Sequence, residues 1–184
     1  MMDRLVRAAT LSDIEAVREI YAHFVERSAA SFELEPPEQS EMERRFHSVV
    51  EAGLPYLVAE VDGRVVGYAS VSAFRPRPGY RFTVEDSVYV RDGFGGRGLG
   101  RVLLQELIAR CGAAGFRQMV AVIGGVNPAS VALHAGVGFR AVGVLQEVGY
   151  KFGEWQDMTL MQLALGVQEE ASQGKEEDRR GGRS

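Results

Sequence analysis

The stretch DGFGGRGLGR, residues 92–101, sets glycines at 93, 95, 96, 98 and 100 between the β-branched run VYV and a helical pattern. One glycine would serve a tight turn. Five of them bare a succession of backbone N–H groups at a helix N-terminus, which is the arrangement that binds phosphate oxygens. Gly93-x-Gly95-x-x-Gly98 spells the dinucleotide fingerprint, but that fingerprint also needs an acidic residue closing the next strand. The next strand reads QMVAVIGGV and carries none. No Gly-Lys-Ser/Thr follows the glycines, so a P-loop fails as well. The reading that remains is a phosphate cradle built by Gly96, Arg97, Gly98, Leu99 and Gly100, with Arg97 and Arg101 adding positive charge. A strand-to-helix turn without a ligand is the alternative.

Just upstream, TVEDSVYV alternates. Glu85 shares a face with Thr83, Ser87 and Tyr89 and lies about one strand length from the glycines, where a carboxylate can take a proton from a group held there. A solvated strand glutamate, or one salt-bridged to Arg81, is the alternative. In FRPRPGYRF, Arg75 and Arg77 alternate with Pro76 and Pro78, so two guanidiniums sit on a stiff extended backbone. Such a pair suits a small dianion or zwitterion, and a solvated hairpin tip is the alternative. Cys111 has no basic neighbour to lower its pKa and reads as a buried, inert thiol. His134 stands alone on a short helix, and no cluster has metal-ligand spacing.

The elements that must position these groups follow from periodicity and turn chemistry. Leu5–Ala8 reads as a strand, and Thr10 caps a helix from Leu11 to Val25. Ser40–Glu51 is a second helix. YLVAEVDGRVVGYASVSAF is a hairpin turning at Asp62-Gly63, and Arg81–Val90 is a third strand. A helix from Leu99 to Cys111 buries Leu99, Val102, Leu103, Leu107 and Ile108. The strand QMVAVIGG follows, then a short helix with Asn127 as N-cap and Pro128 at its first position. Phe139–Gly149 and Trp155–Leu165 are the last strands. One βαβ crossover among antiparallel strands makes this an α+β domain, not a dinucleotide-binding fold.

Composition narrows the function classes. The 184 residues suit one domain, 1–166, followed by a charged tail, 167–184, with no apolar periodicity. A net charge of −4 leaves no basic surplus for general nucleic-acid binding. No apolar run is long enough to span a membrane, and a single cysteine fits a reducing, cytoplasmic setting.

With the glycine loop followed by a helix, an apolar strand and NPASVALHAGVGF, the chain resembles the GNAT superfamily of N-acetyltransferases over roughly Leu5–Leu165. SFELEP, FRPRPGYRFTVEDSVYV, VALH and YKFGEWQDM are similar to stretches of its phosphinothricin and methionine sulfoximine N-acetyltransferases. Gly95 departs from the family's usual Gln or Arg, and His134 from the tyrosine of many members. The resemblance implies a mixed, mostly antiparallel central sheet with helices on both faces and a splayed parallel pair of strands at the acetyl-CoA site. It implies acetyl-CoA as co-substrate, with no metal, and direct transfer to a small-molecule amine. Glu85 is then the catalytic base, acting through water. His134 is either an acid toward the thiolate or a positioning group, with Tyr89 as a weaker acid. Val88, Tyr89 and Val90 would run beside the pantetheine arm, and Asn127 and Ser130 would hydrogen-bond the arm or the phosphates, capping being their alternative role. The acceptor would meet Phe32, Arg75, Pro76, Arg77, Tyr80, Glu85, Asp86 and Ser87. Lys151, Trp155 and Asp157 either complete the pocket or support a dimer contact; the resemblance implies a homodimer. Protein N-termini, polyamines, or a non-catalytic acetyl-CoA-binding sensor are the rival functions.

Overall fold

Turn chemistry and alternation build the first half of the sheet. The computed structural model describes residues 4–166; the expected charged tail lies outside the described residues. Strand β1 (Arg4–Ala8) pairs antiparallel with β2 (Tyr56–Val61), and β2 with β3 (Arg64–Ala73). Asp62 and Gly63 both take positive φ, 50° and 78°, as a two-residue hairpin connection requires. Strand β4 (Thr83–Val90) pairs antiparallel with β3, setting Ser72 opposite Glu85, Ser70 opposite Ser87 and Tyr68 opposite Tyr89.

The second half closes around one crossover. Strand β5 (Gln118–Gly124) runs parallel to β4, but pairing covers only Thr83–Asp86 against Gln118–Ala121. Beyond Asp86 and Ala121 the two strands part into a fork. Strand β7 (Glu154–Ala164) pairs antiparallel with β5, and β6 (Arg140–Lys151) with β7, giving the order β1-β2-β3-β4-β5-β7-β6. Among the described residues β4–β5 is the one parallel pair.

Helices cover both faces, as expected. A 3-10 turn (Leu11–Asp13) leads into α1 (Ile14–Arg27), which packs with α2 (Gln39–Glu51) through Ile14, Val17, Ile20, Val25 and Phe46 against Val58 and Tyr68. Helix α3 (Leu99–Ala113) buries Leu103, Leu104, Leu107 and Cys111 against Leu57, Val66, Val84 and Met119 on the opposite face. Helix α4 (Pro128–Ala135) follows β5, with the Asn127 side chain accepting from the Ser130 N–H at 3.0 Å as its cap.

Several details differ from the sequence reading, among them the start of α1 at Ile14 instead of Leu11. Strand β4 starts at Thr83, not Arg81, because the Tyr80 and Arg81 N–H groups close a 3-10 turn on Arg77 and Pro78. The buried stripe of α3 runs through Leu104 and Cys111, which leaves Val102 on the exposed rim. The last two strands lengthen toward each other, β6 ending at Lys151 and β7 starting at Glu154. A register shift between Leu145 and Gly149 interrupts β6. Glu147 takes φ 53° there, with its N–H donating to Asp157 Oδ1 at 2.9 Å.

Candidate active site

Where β4 and β5 part, a cleft of about 740 Å³ opens. Strand β4 contributes Glu85 to Val90, β5 contributes Ala121 to Gly124, the glycine segment contributes Gly95, Gly96 and Gly98 to Arg101, and α4 contributes Asn127, Ser130 and His134. Residues 87–90 of β4 have no partner on β5, so this backbone edge faces the cleft.

Local backbone chemistry explains the mouth. Gly98, at φ 80°, is the N-cap of α3, a left-handed conformation that side chains resist. No side chain among the described residues caps it, so the first-turn N–H groups of α3 stay available for an anion. Arg101 lines the cleft and donates to the Gly136 carbonyl at 2.8 Å, tying α3 to the end of α4. The Arg97 guanidinium lies over the Phe94 ring at 5.2 Å and outside the cleft lining. An unpaired strand edge ending at an uncapped helix N-terminus fits an amide-bearing arm carrying a pyrophosphate, the shape of coenzyme A.

Glu85 lines the same cleft, half-buried. Burial raises its pKa above the ordinary glutamate value; Arg75 pulls it down and Asp86 adds to the rise. Its cationic neighbour is Arg75, with Nη1 at 3.8 Å from Oε2, and not Arg81, whose guanidinium lies over Phe82. Arg75 is steadied by its stack on Phe74 at 4.3 Å and its bond to the Phe74 carbonyl at 2.7 Å. Tyr80 packs edge-on against Phe74, and Pro76, Arg77 and Tyr80 lie on the hairpin outside the cleft lining. Of the residues expected to meet the acceptor, the structure brings Phe32, Glu85, Asp86 and Ser87 to the cleft, with Arg75 beside Glu85.

Phe32 comes from the α1–α2 loop and presses on Gly149 of β6, where an added Cβ would lie 2.7 Å from the ring. The loop is held by Lys151, whose buried Nζ donates to the Ser28 carbonyl at 2.9 Å and the Ser31 carbonyl at 2.6 Å. Burial lowers the Lys151 pKa. Lys151 thus supports the pocket wall from behind. Trp155 is 63% exposed and packs on Tyr150, while Asp157 braces the β6 bulge.

Asp86 points away from Glu85. Its carboxylate is buried against α4, where Oδ2 lies 3.0 Å from His134 Nε2. This partner displaces the acceptor-contact reading of Asp86. Burial lowers the His134 pKa, but the Asp86 carboxylate and the Ser130 carbonyl outweigh it and the net shift is upward. Tyr89 belongs to an aromatic group with Tyr21, Phe24 and Tyr68, and burial raises its phenol pKa. Cys111 is fully buried and its thiol is pushed up to about 12. Among the described residues no group of three or more His, Cys, Asp or Glu could hold a metal ion, and no helix is long and apolar enough to cross a membrane.

Tyr21, Phe24, Ser31 and Met158 also line the cleft; Ser31 opens SFELEP and Met158 closes YKFGEWQDM, whereas Tyr21 and Phe24 lie in the helical pattern of α1 and carry no motif of their own. Gly124 and Gly149 mark the same wall: an added Cβ at Gly124 would strike the Ala29 carbonyl, as one at Gly149 would strike Phe32.

Residues 6–160 match the acetyltransferase (GNAT) domain family. The chain is 51% identical over 161 residues to a phosphinothricin N-acetyltransferase of Alcaligenes faecalis, covering 87% of this chain and 82% of that one. It is 42% identical over 165 residues to an L-methionine sulfoximine/L-methionine sulfone acetyltransferase of Pseudomonas aeruginosa, covering 89% and 96%. Among solved structures, a phosphinothricin acetyltransferase from Sinorhizobium meliloti in complex with acetyl-CoA superposes with a TM-score of 0.87 at 46% identity, covering 89% of each chain.

Proposed function

Because this chain belongs to the GNAT acetyltransferase family and is an acetyl-CoA-dependent acetyltransferase, we propose that its acceptor is the α-amine of a small amino-acid-like compound of the phosphinothricin, methionine sulfoximine or methionine sulfone type. The observation that carries this reading is the half-buried Glu85 beside Arg75 in the cleft. One site thereby offers a base for an amine and a guanidinium for the acceptor's oxyanion. The relatives' acceptors point to the same chemistry.

Burial desolvates Glu85, so the carboxylate takes up a proton more readily. Through one water it removes the proton from the acceptor's ammonium. The freed nitrogen attacks the thioester carbonyl and the C–N bond forms; as the tetrahedral intermediate collapses the nitrogen releases its second proton to solvent, the C–S bond breaks and the thiolate departs. Arg75 pairs with the acceptor's oxyanion, while Phe32 and Ser87 bound its side chain. The N–H groups of Gly96, Arg97, Gly98, Leu99, Gly100 and Arg101 hold the pyrophosphate. The edge of Val88, Tyr89 and Val90 holds the pantetheine arm, with Asn127 and Ser130 on its far side. Acetyl transfer is direct, since the Cys111 thiol is buried and held protonated.

The enzyme is also proposed to be a homodimer through the β6–β7 end of the sheet. Strand β6 ends the sheet, and Val142, Val144, Val148, Tyr150 and Trp155 are each at least half exposed there. Light scattering should give twice the chain mass, and the Val144→Glu, Trp155→Glu double variant should give the single mass. A monomeric parent would end the dimer reading.

The acceptor class is tested by coenzyme A release from methionine sulfoximine, methionine sulfone and phosphinothricin beside spermidine and an N-terminal peptide. Turnover of the first three is expected to exceed that of the last two. The reverse order would overturn the assignment.

A further inference from the structure

Asp86 and His134, 48 residues apart in sequence, meet where the fork begins. Their side chains are 1% and 3% exposed, and His134 Nε2 lies 3.0 Å from Asp86 Oδ2. Asp86 is the last β4 residue paired with β5. His134 belongs to the helix that follows β5 after the strands have parted.

The other ring nitrogen is equally committed. His134 Nδ1 lies 2.7 Å from the Ser130 carbonyl, with Ser130 Oγ farther off at 3.4 Å. A backbone carbonyl only accepts, so Nδ1 carries a proton. One further proton makes the Nε2–Oδ2 contact, whichever partner formally owns it. Phe139 closes over the ring edge-on, with centroids 5.0 Å apart. A general acid must aim an N–H at the group it protonates, and both N–H positions of this imidazole point at fixed protein acceptors.

We infer that Asp86 and His134 form a buried strap that sets the opening of the β4–β5 fork, tying α4 and its cleft residues Asn127 and Ser130 to the last paired residue of β4, so that His134 is a positioning residue and not the acid for the leaving thiolate. The thiolate then takes its proton from water; with an ordinary thiol pKa of roughly 8.5 it leaves without obligatory protonation. The cost of burial supports this role. Asp86 Oδ1 is buried with no hydrogen-bond partner among the described residues, so the pair secures register more than net stability.

The inference rests on acetyl-CoA occupying the cleft and not on which amine is the acceptor. Titration calorimetry with acetyl-CoA alone therefore tests it on three full-length proteins. Asp86→Leu leaves Nε2 without a partner, and its acetyl-CoA affinity is expected to fall about ten-fold. Asp86→Asn can donate its amide N–H to Nε2 of a neutral imidazole whose Nδ1–H still donates to Ser130. Its affinity and kcat are expected to stay within about three-fold of the parent. Unchanged affinity in both variants would overturn the strap. So would a kcat loss of about a hundred-fold in Asp86→Asn at unchanged affinity, because that pattern marks the pair as a proton source. If Asp86→Leu does not fold, Asp86→Asn decides alone: retained affinity with retained kcat upholds the strap, and either loss overturns it. Failure of every amine in the acceptor panel would leave the calorimetric comparison standing.

Discussion

Glu85 and Asp86 are neighbours in sequence with opposite surroundings, because strand alternation sends them to opposite faces. Glu85 sits half-exposed beside Arg75, whereas Asp86 is buried against His134. The sign of an Arg75→Ala effect follows. Arg75 favours the charged carboxylate, so its loss should raise the Glu85 pKa further. A base works only when deprotonated, so the acidic limb of the kcat/KM profile should move to higher pH, alongside a higher acceptor KM. A limb that moves down or stays fixed would separate Arg75 from the base. Cys111 supports a second expectation. With its thiol pushed up to about 12 by burial, native protein should alkylate far more slowly than unfolded protein. Cys111→Ala should keep turnover and show no acyl-enzyme burst in either form; lost turnover would point to a covalent route.

The α1–α2 loop is the element whose placement decides the cleft wall proposed to meet the acceptor. Its anchors are Lys151 on the Ser28 and Ser31 carbonyls, Tyr21 on Ser31 and Glu33, and Arg45 on Glu33. Gly149→Val would put side-chain atoms where the Phe32 ring lies. Acceptor KM is expected to rise with little change for acetyl-CoA, at a stability cost of about 1–3 kcal/mol measured by denaturant titration. An equal rise for both substrates would contradict the assignment of this wall to the acceptor. Little of this element is legible in sequence. Asp62-Gly63, Asn127-Pro128 and the glycine segment announce themselves because the constraint is local: a positive φ, a cap, a missing side chain. Lys151 beneath Ser31, Phe32 against Gly149 and Asp86 against His134 are meetings of distant segments. Alternation sends Asp86 away from Glu85 but cannot tell what waits on that face. The arginine-proline segment shows the converse. Its stiffness is legible, yet only Arg75 comes within ion-pair reach of Glu85, while Arg77 stays on the exposed hairpin.

At the scale of the whole fold, the sheet carries its cleft where the one parallel pairing among the described residues, Thr83–Asp86 against Gln118–Ala121, stops short. Stability is anchored elsewhere. Arg7 of β1 donates to both Asp13 oxygens at 2.8 Å and also pairs with Glu60 of β2. The Arg7 hydrogen bond comes first among the causes that hold the Asp13 carboxyl at about 2, against an ordinary value of 3.8. A depressed acid stabilises the fold above its unfolded pKa and loses that contribution as pH falls through the folded one. Asp13→Asn should therefore cost on the order of 1–2 kcal/mol at pH 7, a difference from the parent that shrinks between about pH 4 and pH 2. A pH-independent difference would mean that Asp13 acts through shape alone. The proposed chemistry rests on one carboxylate at the fork, Glu85. Its most direct test is the turnover of Glu85→Gln at neutral pH with methionine sulfoximine or phosphinothricin as acceptor, beside acetyl-CoA affinity by calorimetry. A kcat loss of about 10²–10⁴-fold with unchanged acetyl-CoA affinity is expected, and turnover equal to the parent would contradict it.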